Sequence, residues 1–479
     1  MKRLRRTKIV ATLGPASGNP EMIEKLIQAG VNVFRLNFSH GSQEMHRANV
    51  EFIRETSDKL NQPIAILQDL QGPKIRTATF AEGKIKLEVG QTFNLTCDDD
   101  SPGDETRVGV TYSNLCNDVA EGDALLLDDG RLALKVTGIQ DDTIQTVVIL
   151  GGVLSNNKGI NIPDAELSIP ALTDKDVEDL RFGVELDVDW LAMSFVRSRD
   201  DILIARHHMA QAGSTAKLMA KIEKPTAVER FEEVLREVDG IMVARGDLGV
   251  EMDPERVPVI QKRLINACIE AGKPVVTATQ MLESMIASPR PTRAEASDVA
   301  NAIYDGTDAV MLSAETAVGE YPIEAVKMMV NIALSVEADP QYREAIRQRF
   351  PKPDETIADA VSLGACQMAH SLAAPIIVCF SASGATALRV SRNRPDALVL
   401  TVTPNRRSYR QLSVAWGVVT HLSEEISSVE EMVDHANRAI RVIGSRTGAQ
   451  ATGERYVITA GVPFGRRGST NLIRVERAM

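Results

Sequence analysis

The segment AKIEKP (220–225) sets Lys221 and Glu223 two residues apart at the end of an apolar run, LMAKIE. In an extended strand, residues i and i+2 face the same side, so a cation and an anion share one face of what otherwise reads as a buried strand. A structural ion pair is the simplest account, and other polar residues decide whether chemistry is the better one. In ARGDLG (244–249), Asp247 stands between two glycines, where backbone amides can approach an anion closely. Glu223 and Asp247, from neighbouring strands, are the two carboxylates that suit Mg²⁺ or Mn²⁺, with waters and phosphates completing the shell. Lys221 beside them supplies positive charge to a phosphoryl group or a developing enolate oxygen. Arg35 offers a planar fork suited to phosphate or carboxylate. These parts describe a Mg²⁺-assisted site for a small, phosphorylated, anionic substrate. No Ser–His–Asp arrangement, haem motif or Walker loop competes with it in the sequence.

Such residues must be held by elements, and these are visible as eight short runs rich in aliphatic and β-branched residues. They are TKIVATLG (7–14), VNVFRLNFS (31–39), PIAILQDL (63–70), WLAMSFV (190–196), KLMAKIE (217–223), GIMVARGDLG (240–249), PVVTATQM (274–281) and AVMLSAET (309–316). Amphipathic stretches lie between most of them, and one of these, PERVPVIQKRLINACIEAG, stops at Gly272, a natural helix end. Strand and helix in alternation imply parallel pairing, and eight such units have the size of a (β/α)₈ TIM barrel. The runs start apolar and end polar: Arg35, Asn37 and Ser39; Asp69; Ser194; Lys221 and Glu223; Arg245 and Asp247; Thr279 and Gln280; Ser313 and Glu315. Any one of these could be a turn or cap residue. Their repetition on seven of the eight runs fits a barrel mouth, where the carboxyl ends of all strands gather.

The pattern divides the chain into 1–73 (barrel, first part), 74–168 (inserted lid), 169–345 (barrel, second part) and 346–479 (C-terminal α/β domain). Period-2 alternation and Gly/Asp turns give the insertion the signature of a small β-barrel domain, and its place at the mouth suits a lid that excludes water. The last part opens on a polar linker, RQRFPKPDET, followed by a helical pattern and five strand candidates: IIVCFS, ALVLTVT, VVTHL, RYVITAG and LIRVE. There, SASGAT (381–386) leads from a strand into a helix, so Ser381, Ser383, Gly384 and Thr386 form a candidate phosphate cradle. Arg466 and Arg467 could reach the same ligand, and simple N-capping by Ser383 is the competing account.

Composition sets limits on the rest. A net charge of −11 over 479 residues argues against nonspecific nucleic-acid binding. The basic start MKRLRRTK is followed by too short an apolar stretch for a secretory signal, and no run is long enough to span a bilayer. Five scattered cysteines without CxxC spacing read as reduced thiols of a cytoplasmic protein.

NFSHG (37–41), LQGPKIR (70–76), NNKGIN (156–161), KIEK (221–224), MVARGDLGVE (242–251), ATQMLESM (278–285), PTRAEASDVANA (291–302) and DAVMLSAETA (308–317) resemble the pyruvate kinase family, essentially end to end. The resemblance implies phosphoryl transfer from phosphoenolpyruvate to ADP, giving pyruvate and ATP, the last step of glycolysis. It implies that Lys221 stabilises the enolate and the phosphoryl transition state, that Glu223 and Asp247 bind Mg²⁺ or Mn²⁺, and that Arg35 holds the transferring group. The amides of Gly246 and Asp247 then take the substrate carboxylate, and Thr279, Ser313 and Glu315 surround the proton relay. Asn37, Phe38, Ser39, His40, Arg76 and Lys158 match nucleotide-contacting positions. The family is usually a homotetramer and uses the SASGAT loop for a sugar phosphate or AMP. Many members also bind K⁺ at the mouth. Here Asn37, Ser39 and Asp69 of that set are present, but Leu70 stands at the threonine position and Lys74 where such members carry glutamate, so K⁺ is expected to be dispensable. Two other readings are weaker. A Mg²⁺-dependent barrel aldolase or lyase acting on pyruvate enolates has no use for a nucleotide-contacting lid, and a catalytically silent regulator has no use for a complete set of catalytic residues.

Overall fold

The computed structural model describes residues 4–99, 101–163, 165, 167–348, 351–447, 453–464 and 468–478. All eight expected runs form strands: β1 (Lys8–Thr12), β2 (Val33–Asn37), β3 (Ala65–Asp69), β4 (Trp190–Met193), β5 (Lys217–Ile222), β6 (Gly240–Ala244), β7 (Val275–Ala278) and β8 (Ala309–Leu312). Each pairs in parallel with its sequence neighbour, and β8 pairs with β1 to close the barrel. Strands covered on both faces read as near-continuous apolar runs, and β1 and β6 are buried at every position, Lys8 and Thr12 of β1 included. The surrounding helices start and stop where local chemistry demands. Asn19 caps Pro20–Ala29 by accepting from the Met22 amide, and Val257–Ala271 ends on Gly272 at φ +64°, a left-handed position that glycine takes without steric cost.

Two runs leave the sheet directly into a helix. GIMVARGDLG leaves the sheet at Ala244, and Arg245–Glu251 is a short helix. AVMLSAET likewise turns into the helix Ala314–Ala317 after Leu312. The apolar run marks the part that must pack inside the barrel. Beyond it, the chain is free to turn, which sets Asp247 in a helical first turn rather than on a strand.

Between β3 and β4 the chain builds a six-stranded sheet from strands lying within 92–161 and a two-stranded ribbon, Lys84–Leu87 with Gly152–Ser155. Its core is its own, formed by Phe93, Leu95, Leu125, Leu134 and Ile144 among others. The five strands expected near the C-terminus also form: β9 (Ile376–Phe380), β10 (Leu398–Thr403), β11 (Val418–Leu422), β12 (Arg455–Gly461) and β13 (Thr470–Arg477). Their order is β11-β10-β9-β12-β13, with β13 alone antiparallel to its neighbour. This sheet unit docks on the amino-terminal end of the barrel. Trp190 Nε1 donates to the Gln411 carbonyl at 3.0 Å, Lys8 Nζ to the Val418 carbonyl at 2.5 Å, and Arg410 pairs with Asp187 and Asp189.

All five cysteines are free and buried. Among the described residues no helix is long and apolar enough to cross a membrane.

Candidate active site

The ends of β2, β3, β4 and β5 converge on Lys221. Its Nζ lies 2.9 Å from Glu223 Oε1 and 3.4 Å from Asp69 Oδ1, and it donates to Ser194 Oγ at 2.8 Å. Burial alone would lower its pKa, but the charges of Asp69 and Glu223 outweigh burial and raise it, so Lys221 is an ammonium at any physiological pH. Asp69 is 1% exposed. Burial pushes its carboxyl up, and Lys221 and Arg35 overcome this and hold it below the usual range. Arg35 donates Nε to Asp69 Oδ2 at 2.6 Å and Nη1 to Thr12 Oγ1 at 3.1 Å. The i, i+2 spacing of KIE therefore produces the shared face that the sequence implies, and Asp69 and Ser194 extend it to two more strands.

Glu223 is 1% exposed, and its Oε2 accepts the Phe195 amide at 2.6 Å. Burial raises its pKa, the Asp247 charge adds to the rise and Lys221 opposes it. Two carboxylates that repel one another, one of them buried, favour a divalent cation between them. Among the described residues no group of three or more His, Cys, Asp or Glu side chains is placed to hold a metal. Glu223 and Asp247 could hold such an ion only as a pair, and a pair would suit Mg²⁺, which keeps waters and substrate oxygens in its shell.

On the far side of Asp247, strain appears. Thr279 has φ +67° and Gln280 φ +53°, and a β-branched residue such as Thr279 adopts such a value only when its surroundings enforce it. Thr279 Oγ1 accepts the Gly246 amide at 2.6 Å and donates to the Ala278 carbonyl at 2.7 Å. Arg245, a mouth residue with no role assigned from sequence, borders the same cavity and clamps this corner. It donates to the Thr279 carbonyl at 3.0 Å and pairs with Asp298 at 2.7 Å. Glu315 accepts the Leu282 amide at 3.0 Å and the Ser313 amide at 2.7 Å, and burial raises its pKa. Ser313 Oγ is buried without a partner among the described residues. Gly246, Asp247, Thr279, Ser313 and Glu315 line one cavity of about 680 Å³, which Lys74 and, from the inserted sheet unit, Asp129 also border.

The segment after β2 divides. Asn37 Oδ1 accepts the Ser39 amide at 3.2 Å, and His40 is exposed. The His40 pKa is lowered by burial first and then by the charges of Arg76, Arg35 and Lys74, so these four groups share one neighbourhood. The Phe38 ring is buried and stacked on His46, with centroids 4.1 Å apart, so this position can offer a nucleotide its backbone but not its ring. Arg76 donates to the Asn157 carbonyl at 3.2 Å, and Lys158 pairs with Asp128 at 2.7 Å, both on the inserted unit. Lys74 reaches inward, its Nζ 3.9 Å from Asp247 Oδ1. Leu70 is 1% exposed and brings no side-chain oxygen.

In the C-terminal unit, Ser381, Ser383 and Thr386 line a separate cavity of about 430 Å³. The helix Ala385–Arg392 is capped by Gly384 at φ +84° with no side-chain cap bond, so Ser383 does not cap it. Thr386 Oγ1 is 2.7 Å from Thr470 Oγ1 and buried, which leaves Ser381 and Ser383 as the accessible hydroxyls. Arg466 and Arg467 lie outside the described residues.

Comparison with known proteins agrees with this architecture. The family described as "Pyruvate kinase, barrel domain" matches residues 4–326, and "Pyruvate kinase, alpha/beta domain" matches 359–476. A pyruvate kinase of Methylorubrum extorquens is 46% identical over 99% of this chain and 98% of its own length. One of Agrobacterium vitis is 46% identical with the same coverage of each chain. One of Staphylococcus epidermidis is 44% identical over 99% of this chain and 80% of its own length. With a buried lysine held between carboxylates at the mouth of a closed barrel and both family regions matched in order, the chain belongs to the pyruvate kinase family.

Proposed function

We propose that the cluster around Lys221 is the phosphoryl-transfer centre, with Glu223 and Asp247 as the divalent-cation ligands. In the family's reaction an oxygen of the ADP β-phosphate attacks the phosphorus of phosphoenolpyruvate, the bond to the enol oxygen breaks, and the resulting enolate is protonated to pyruvate. The protein's part in such a transfer is positioning and charge stabilisation. A bound Mg²⁺ would neutralise charge on the phosphoryl oxygens. Lys221, fixed by three oxygen partners, presents a preorganised ammonium to the enol oxygen as charge develops there. Arg35 commits Nε and Nη1 to Asp69 and Thr12, which orients Nη2 toward the transferring group. The observation that carries this reading is the Lys221 ammonium held charged at the barrel mouth by Asp69 and Glu223.

The amides of Gly246 and Asp247 suit the substrate carboxylate, with Thr279 Oγ1 moving off the Gly246 amide as the carboxylate arrives. For the final proton, Ser313 Oγ is the better relay member, since Glu315 is occupied by two amides and so positions Ser313. Residues 74–168 act as the lid, bringing Arg76 and Lys158 to the nucleotide beside Asn37, Ser39 and His40. The decisive assay follows ATP formed from phosphoenolpyruvate and ADP. A barrel lyase would release pyruvate without ATP, and that result would end this reading.

K⁺ is dispensable on this reading, because the Lys74 ammonium stands near Asp247 and a second monovalent cation would be repelled. Turnover in tetramethylammonium buffer should match that in KCl at equal ionic strength, and Lys74→Glu with Leu70→Thr should create a K⁺ requirement. The 430 Å³ cavity beside Ser381 and Ser383 suits a phosphorylated effector, a sugar phosphate or AMP, in a cytoplasmic homotetramer such as the family forms. A panel of these ligands that shifts neither activity nor Tm would remove the effector assignment.

A further inference from the structure

Glu251 closes the segment MVARGDLGVE, from which the reaction uses Gly246 and Asp247. It is 2% exposed, and its Oε1 accepts from two sides: Lys224 Nζ at 2.6 Å and Asn161 Nδ2 at 2.6 Å. The three residues belong to three different parts of the site. Asn161 ends the short strand Ile160–Asn161 of the inserted unit, three residues after Lys158. Lys224 directly follows Glu223. Glu251 ends the helix whose first turn carries Asp247. A single buried oxygen thus ties the lid to both carboxylate-bearing elements.

A Lys224–Glu251 pair alone would be an ordinary tie between neighbouring barrel elements. The Asn161 arm makes it more than that, because this donor leaves with the lid. Oε2 of Glu251 is already buried without a partner among the described residues. Removing Asn161 as well would leave a dry carboxylate with Lys224 as its sole donor, an arrangement that favours movement of Lys224 or of the helix.

We propose that Glu251 is a positioning residue that couples the seating of the lid to the affinity of the Glu223–Asp247 pair for a divalent cation. This rests on reading that pair as the cation site. The coupling is reciprocal: a seated lid tightens cation binding, and a bound cation favours the seated lid by the same factor.

The test uses Mn²⁺ alone, with binding followed by electron paramagnetic resonance on the full-length protein in the absence of substrates. Asn161→Leu removes the lid's donor at similar size, and Glu251→Gln removes the charge. Each should weaken Mn²⁺ binding roughly tenfold, as loss of a partner behind metal ligands does. The double variant should be no weaker than Glu251→Gln alone, because both act through one contact. Mn²⁺ should slow hydrogen exchange within 84–161 in the wild type and not in Asn161→Leu. An unchanged Mn²⁺ affinity in folded Asn161→Leu, or additive losses in the double variant, would overturn the coupling. If Glu251→Gln fails to fold, Asn161→Leu alone decides. Glu223→Gln and Asp247→Asn serve as controls. If they also leave Mn²⁺ affinity unchanged, the cation-site reading has failed. If they weaken it while Asn161→Leu does not, only the coupling has failed.

Discussion

Two lysines are buried at opposite ends of the same barrel and have opposite fates. Lys221, at the carboxyl end of β5, sits between Asp69 and Glu223, and their charges raise its pKa against burial. Lys8, at the amino end of β1, is 5% exposed and donates to the Val418 carbonyl at 2.5 Å. Burial, reinforced by the charges of Arg5 and Arg6 and opposed by Glu337 and Asp308, lowers its pKa to about 7. Those two carboxylates are engaged elsewhere. Glu337 accepts the Arg6 and Thr7 amides and the Thr7 hydroxyl, and Asp308 takes Arg394 and the Trp416 amide. Burial acts against the ammonium at both ends, so the availability of a counter-charge decides whether it survives. At the mouth the charge is preserved for chemistry. At the base the side chain can be neutral, and it serves the junction with the C-terminal unit.

The largest break in this comparison is Lys221→Met. Loss of one preorganised charge stabiliser costs roughly 10²–10³-fold in kcat, and the coupled ATP assay should show at least that. The variant should also melt earlier, because removing one partner of a buried pair leaves Glu223 uncompensated, typically at about 3–5 kcal/mol. Arg35 still holds Asp69, which limits the damage. Near-normal kcat would refute the assignment. Glu223→Gln and Asp247→Asn come next. Partners behind a metal ligand are worth roughly tenfold in affinity, so loss of a ligand should raise half-saturating Mg²⁺ by no less. The two should differ in Tm. Glu223 is buried and bonded to Lys221 and Phe195, whereas the Asp247 side chain is 27% exposed, so Glu223→Gln should lower Tm and Asp247→Asn should leave it nearly unchanged.

The legible part of this molecule was the part written locally. Eight apolar runs, seven of them with polar ends, gave eight strands, and the KIE spacing gave the Lys221–Glu223 contact, because strand periodicity is a property of neighbouring residues. What depends on strand ends meeting in space was not readable. The Ser194 hydroxyl and Phe195 amide reach β5 from β4, Arg245 turns to Asp298, and Lys74 approaches Asp247 across the mouth. Phe38 is named only through the family resemblance, and its neighbours show why the residue pattern passes over it: the chain there points alternate side chains, Leu36 and Phe38, into the core. Lys8 gave no sign at all, since the carbonyl covering it is 410 residues away.

That hidden lysine supplies the smallest effect and the cleanest separation of the two ends. A base whose folded pKa is lowered opposes folding while it must be charged, so the full penalty applies below pH 7. Between about pH 7 and the unfolded value of 10.5, the unfolded chain binds a proton that the folded one has released, and stability rises with pH. The slope from one such group is at most about 1.4 kcal/mol per pH unit. Lys8→Met abolishes it. The Tm of the wild type should therefore gain on that of Lys8→Met as pH is raised from 6 to 9, whichever is higher at the start, because every other titrating group is common to both. The offset itself carries less meaning, since Met also leaves the Val418 carbonyl without its donor, a loss worth about 1–3 kcal/mol. Turnover and half-saturating Mg²⁺ should match the wild type, as Lys8 lies at the amino end of β1 and every group around Lys221 belongs to the mouth. Parallel Tm curves from pH 6 to 9 would mean that Lys8 stays charged in the folded protein, and that a single carbonyl can keep a buried ammonium protonated as well as two carboxylates do.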